Sequence, residues 1–285
     1  MKTKNVGFIG PGKVGCSFGR YIAENGGAFT VAGYYGRDID SAREAAAFAG
    51  GRAFESAEEL AFGCGLLMLT VPDKLIESVW ASLAVNLPDR NEPLYVGHCS
   101  GSQGSEVFSP KPGCHFGSIH PVLAVPDKLA SYESFNKAYF TIEGDEAFAS
   151  VAEVLLTELG NPFSSIDADQ KIKYHAAAVM VSNLVCALTF EGMETFKDCG
   201  LDEKFADYAW RSLFLENAEN IASLGPVQAL TGPAERGDAD TIARHLDALS
   251  GDAREIYLTL SRVLIETAQQ KNLDRDYSEL RNLLK

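Results

Sequence analysis

The first fifteen residues constrain the fold more than any other part of the chain. Val6-Gly7-Phe8-Ile9 is a short apolar run that leads directly into Gly10-Pro11-Gly12-Lys13-Val14-Gly15, the spacing G-x-G-x-x-G. Each glycine has a physical reason in a strand–turn–helix unit. Gly10 permits the tight turn, Gly12 lets backbone N–H groups approach a pyrophosphate, and Gly15 lets the next helix pack close to its strand. A helix over residues 17–25 and a second strand over 29–35 follow at the distance such a unit needs. The opening predicts a dinucleotide site, with Gly10, Pro11, Gly12, Lys13, Val14 and Gly15 as cofactor contacts.

Strand-like apolar runs then alternate with helical stretches, at residues 30–35, 66–71, 94–98, 115–119, 139–143 and 163–166. That alternation reads as a mainly parallel, doubly wound sheet, with room for antiparallel members among the later strands. After Asp167 the pattern changes. Residues 168–198 contain no proline, one glycine and a near-continuous apolar face, which predicts one long helix, and further helices are expected over 202–224, 240–249 and 253–271. The fold class is therefore α/β, an N-terminal doubly wound Rossmann domain over residues 1–167 followed by an all-α C-terminal domain over 168–285.

Composition narrows the partners. A net charge of −14 repels nucleic-acid backbones and anionic membrane surfaces, so an anionic cofactor must be held by local donors. No run approaches 18 consecutive apolar residues and no signal-like segment opens the chain, so a cytoplasmic protein with no membrane partner is expected. The six cysteines show no C-x-x-C pair and no scaffold spacing, which suits reduced thiols. A metal site from His98, Cys99, Cys114, His115 and His120 is disfavoured, because adjacent residues on a strand point to opposite faces.

Several residues past the glycine loop carry candidate chemistry. The second strand ends in Tyr34-Tyr35-Gly36-Arg37, with no acid to hold a ribose 2′-OH and an arginine suited to a 2′-phosphate, which favours NADP over NAD; Arg43 is a second cation nearby. Val71-Pro72-Asp73 ends a buried strand and should face the cofactor, with Asp73 also placed to cap the next helix. Ser100, following His98-Cys99, is expected to touch cofactor and substrate, and His120, in Ser118-Ile119-His120-Pro121, the substrate. On the long helix, Lys171, His175 and Asn183 fall on one face by i, i+4 spacing, a polar stripe that would face a substrate pocket; Lys173 lies off that face, in solvent. Arg236, in the turn-rich loop Leu230 to Asp238, could bind a carboxylate or phosphate.

These pieces in this order resemble the Rossmann-like proteins whose C-terminal half is the domain of unknown function 2520. The motifs that carry the resemblance are Gly10 to Gly15, Val71-Pro72-Asp73, His98-Cys99-Ser100-Gly101, Ser118 to Pro121, Tyr174-His175-Ala176-Ala177-Ala178 with Asn183, and Leu230-Thr231-Gly232-Pro233 with Arg236-Gly237-Asp238. Val122-Leu123-Ala124-Val125 departs from the polar residue and Phe usual there. More distantly the plan resembles pyrroline-5-carboxylate reductase, ketopantoate reductase and the β-hydroxyacid dehydrogenases. In the last of these a helix carries a catalytic Lys and, four residues on, an Asn; the same spacing here holds Lys171 and His175. The resemblance implies a homodimer through the C-terminal helices. The expected function is hydride transfer between NADP and a small carbonyl or imine acid, with His175 or Lys171 as proton donor and Asn183 positioning the substrate. A non-catalytic NADP-binding sensor and a deazaflavin-dependent reductase are the alternatives.

Overall fold

The apolar opening forms β1 (Lys4–Ile9) at the middle of an eight-stranded sheet. In the computed structural model, which describes residues 4–88, 90 and 92–285 and the side chains of all but 4, 203, 206, 207 and 209 among them, the other strands are β2 (Phe29–Tyr35), β3 (Arg52–Ala53), β4 (Leu66–Leu69), β5 (Leu94–His98), β6 (Cys114–Val122), β7 (Tyr139–Gly144) and β8 (Phe163–Ser165). The order is β3-β2-β1-β4-β5-β6-β7-β8, the doubly wound arrangement extended by two strands. Pairing is parallel from β3 through β6, antiparallel between β6 and β7, and parallel again between β7 and β8. Only the two-residue β3 has no counterpart among the sequence expectations.

Helices α1 (Lys13–Asn25), α2 (Ile39–Ala49), α3 (Ala57–Gly63), α4 (Ile76–Asn86) and α5 (Glu146–Leu159) cover the two faces. The strands in the middle are apolar on both sides, as a covered parallel sheet requires. In β4, Leu66 and Met68 enter one core with Phe8, Phe18 and Phe148, whereas Leu67 and Leu69 enter the other with Leu60, Trp80 and Val96. Alternation along one strand thus feeds two cores.

The expected long helix is two helices, α6 (Lys171–Met180) and α7 (Asn183–Asp198), after a 3-10 turn at Ala168–Gln170. Val181 and Ser182 form the break, with Ser182 outside helical backbone geometry at φ −129° and ψ −84°. The chain divides into compact units Met1–Val179 and Met180–Lys285. The boundary expected at Asp167 thus falls twelve residues late, because the first turns of α6 hydrogen-bond to the sheet.

In the second unit, α8 (Glu203–Ala229), α9 (Pro233–Arg236), α10 (Ala239–Ala248), α11 (Gly251–Lys271) and α12 (Ser278–Leu283) follow α7. α8 bends at Gly225, φ +77°, just before Pro226, where the sequence predicts its end. A small core of Ile242, Leu246, Ile265, Tyr277 and Leu280 joins α10, α11 and α12. Within 168–198 an 18-residue window of mean hydropathy 1.5 is, by length and composition only, apolar enough to cross a membrane. Its interruption at Ser182 and the polar engagement of Lys171 and Tyr174 oppose that reading.

Candidate active site

At the carboxyl ends of β1 and β4 the three glycines serve three different ends. Gly10 has φ +103°, and a Cβ there would lie 2.8 Å from the Thr70 carbonyl. A Cβ on Gly15 would come within 2.5 Å of the Gly10 carbonyl oxygen and of Thr70 Oγ1, so its absence brings α1 against the strand ends. A Cβ on Gly12 would meet nothing within 4 Å. It would project into open space at the start of a helix with no capping side chain and no acid in its first turn. Free N–H groups and the positive end of α1 therefore converge on open space, an arrangement suited to an anion.

That space opens into a cavity of about 540 Å³ lined by Gly10, Pro11, Gly12, Arg37, Val71 and Pro72, with Leu75, Val79 and Leu83 as an apolar wall. Arg37 is exposed at its rim. Asp38 beside it accepts from the N–H groups of Asp40 and Ser41 and from Ser41 Oγ. The hydroxyl and amides hold its carboxyl below the usual range and leave it capping α2. The donor set fits a dinucleotide: amides for the pyrophosphate, an apolar wall for the base, a cation at the ribose end.

Hydrogen bonds lead from the cavity to the next strand end. Asp73, expected to cap α4, instead accepts from Ser100 Oγ at 2.5 Å and Ser102 Oγ at 3.3 Å. Ser100 Oγ also accepts from the amides of Ser102 and Gln103. Its one donor and both acceptor positions are used. His98 clips the same loop: Nδ1 accepts from Ser100 N–H at 3.1 Å, and Nε2 faces the Gly104 carbonyl at 3.2 Å. Burial pushes the His98 pKa down to about 4, so the ring is neutral.

The antiparallel pairing of β6 with β7 sets Ser118 opposite Glu143 and His120 opposite Thr141. Side chains two apart on a strand share a face, and α6 reads these two rungs with residues three apart. Lys171 Nζ donates to Ser118 Oγ at 2.6 Å and to the Ser100 carbonyl at 3.1 Å, and Ser118 Oγ donates to Glu143 at 3.2 Å. Glu143 also accepts from Ser105 N–H and Oγ. One rung on, the Tyr174 hydroxyl lies 2.8 Å from His120 Nδ1 and accepts from Thr141 Oγ1 at 3.3 Å. Burial, then the charges of Lys171 and His175, lowers the His120 pKa to about 4. The rings of His120 and His175 stand 6.4 Å apart, and a Cβ on Gly101 would lie 2.8 Å from both.

Residues 2–121 match the model of the Rossmann-like domain, and residues 138–264 match Domain of unknown function (DUF2520). The chain joins a Rossmann-like domain to a DUF2520 domain. No curated protein sequence matches it. Among solved structures it is similar to protein TM1727 from Thermotoga maritima, at 26% identity and TM-score 0.73 over 93% of this chain and 99% of that one. A candidate NADP oxidoreductase from Bacteroides fragilis, BF3122, is 22% identical, with TM-score 0.70 over 93% and 99%. Pyrroline-5-carboxylate reductase from Coxiella burnetii shares the fold at 15% identity, with TM-score 0.60 over 94% and 98%.

Within the Rossmann-like domain, Gly10, Pro11, Gly12, Arg37, Val71 and Pro72 line one cavity, with Lys13 exposed at the start of α1 and Val14 partly buried beside it. Ser100 is 5% exposed with its hydroxyl fully engaged, so it organises the loop where a ligand contact was expected. At the start of α6, Lys171 is fully buried, and its ammonium holds Ser100 and Ser118 in place with no opening to a substrate. Burial lowers its pKa. The structure places the His120 and His175 rings 6.4 Å apart beside Gly101. Asn183 follows the break at Ser182, starts α7 in the other unit, and is exposed with Oδ1 accepting from Ser182 Oγ. Arg236 is exposed at the end of α9, in that same unit. Tyr174, Thr141 and Glu143 are site residues that sequence reasoning missed. Tyr174 stood inside a noted motif, three residues after Lys171, the spacing that shares its face.

Proposed function

We propose that the chain is an NADP-dependent oxidoreductase acting on a small carbonyl or imine compound. The observation that carries this is continuity within one unit: Val71 and Pro72 line the glycine-loop cavity, Asp73 next to them accepts from Ser100 Oγ, and Gly101 beside Ser100 backs two histidines. Reduced nicotinamide, when bound, supplies the hydride. The amides at the start of α1 would hold the pyrophosphate and Arg37 the 2′-phosphate, since Asp38 is occupied with its helix cap. His120 and His175, both partly exposed, would serve the oxygen or nitrogen that receives a proton. Lys171, Ser118 and Glu143 would keep the two strand ends in register beneath them.

We also propose a homodimer through the helices of the second unit. That unit exposes Leu184, Leu188, Phe190, Leu213 and Leu215, and has an apolar cavity of about 650 Å³ lined by Leu188, Phe196, Ile256, Leu260 and Leu264. Apolar surface of that extent favours burial against another chain.

The test is a screen of small oxo acids, aldehydes and cyclic imines for oxidation of NADPH and NADH, joined to cofactor titrations of the wild type and Arg37→Ala. Consumption of NADPH with at least one compound is expected, with NADPH binding weakened roughly 10- to 150-fold in the variant and NADH binding nearly unchanged. Equal losses for both cofactors would remove the NADP assignment. No consumption with any compound would remove the reductase.

A further inference from the structure

His120 has two ring nitrogens in different surroundings. Nδ1 faces the Tyr174 hydroxyl at 2.8 Å, whereas Nε2 makes no hydrogen bond among the described residues and lies on the side of Gly101 and His175. The hydroxyl of Tyr174 has one proton to give, and its oxygen already accepts from Thr141 Oγ1. A phenol that accepts from one neighbour directs its own proton to the other. Thr141 stands directly across the ladder from His120, so the chain Thr141 to Tyr174 to His120 Nδ1 is set by strand register and by one position on α6. Burial raises the Tyr174 pKa, so the phenol keeps its proton, and the neutral imidazole carries a single N–H.

We infer that Tyr174, braced by Thr141, fixes His120 as the Nε2–H tautomer, and that this N–H receives the oxygen of a carbonyl substrate, which assigns the site to aldehydes, ketones or oxo acids in preference to protonated imines. The inference rests on the reductase reading above. A carbonyl oxygen has lone pairs for the donor at every stage, and accepts more strongly as charge develops on it. A protonated imine has an N–H and no lone pair, so it would meet a second donor at Nε2. His120 keeps its own proton and polarises the C=O bond; neutral histidine is the form suited to that role. As the carbonyl carbon gains hydride, the π-bond pair moves to oxygen, and the proton that completes the alcohol comes from solvent by way of His175, the partly exposed ring on the other side of Gly101. Gly101 is then a specificity position: a methyl group there would stand 2.8 Å from Cε1 and Nε2 of His120 and from Cδ2 of His175, in the space before Nε2.

The experiment combines imidazole ¹⁵N NMR with the substrate panel, using wild type, Tyr174→Phe and Gly101→Ala. His120 in the wild type at neutral pH is expected to show a protonated Nε2 and an accepting Nδ1. Tyr174→Phe should give a mixture of tautomers, with kcat on a carbonyl substrate down roughly tenfold to a hundredfold and NADPH affinity unchanged. Gly101→Ala should lose turnover, because its methyl takes the space before Nε2. A protonated Nδ1 in the wild type overturns the inference. So does a panel in which only cyclic imines are reduced, a result that leaves the reductase reading standing. A panel in which nothing is reduced removes both.

Discussion

His98 is fully buried, and each ring nitrogen has a backbone partner, so its role can be stated as a pH dependence. Burial, the largest cause, depresses its folded pKa to about 4, below the value near 6.5 in an unfolded chain. The sign follows directly: the unfolded state binds the proton first as pH falls. The stability His98 lends is complete above about pH 6.5 and declines towards pH 4, by about 2 kcal/mol at pH 5. Urea unfolding at pH 8 and pH 5 should show the wild type losing more than His98→Asn by roughly that amount. Equal losses in the two proteins would show that the ring does not titrate as described. His120 acts in the same direction in both proteins, so the comparison isolates His98.

At the scale of elements, the glycine loop separates binding from folding. Gly12 has extended backbone, φ −86° and ψ −166°, and a Cβ there meets nothing, so Gly12→Val should keep its melting temperature while losing affinity for either dinucleotide by two orders of magnitude or more, roughly the loss of all pyrophosphate contacts. Gly15→Val crowds the Gly10 carbonyl and Thr70 and should lose about 1–3 kcal/mol of stability. Undiminished affinity in Gly12→Val by calorimetry would displace the cofactor from this loop. The loop was legible because its glycines obey local geometry, and seven of the eight strands were legible as apolar runs. The break at Val181 and Ser182 was not, since apolar residues continue through it and no Gly or Pro marks it. Nor was the partnership of Tyr174 with His120. It depends on the register that puts Thr141 opposite His120, and nothing in either strand's own sequence states that register. Lys171 was found by its spacing, but whether it touches a substrate or braces a loop is decided by burial, which spacing does not fix.

For the whole molecule, charge and apolar surface oppose each other. Each chain carries −14, so two copies repel, while the second unit exposes large apolar side chains on α7 and α8, Leu188 and Leu213 among them. The repulsion is screened beyond about 10 Å at 0.1 M salt, whereas apolar burial is not weakened by such salt. If apolar burial wins, the chain of 30.7 kDa should sediment at twice that mass, and more tightly at moderate than at low ionic strength. Leu213 is 67% exposed, so Leu213→Glu should leave the monomer's own packing intact. Burying that carboxylate in an interface would cost several kcal/mol, enough to shift dissociation at least a hundredfold. Sedimentation equilibrium on both proteins across a range of concentrations and salt reads this directly. A wild type that remains at 30.7 kDa throughout, or a variant that dimerises as tightly as the wild type, would move the interface off this face of α8 or remove it altogether.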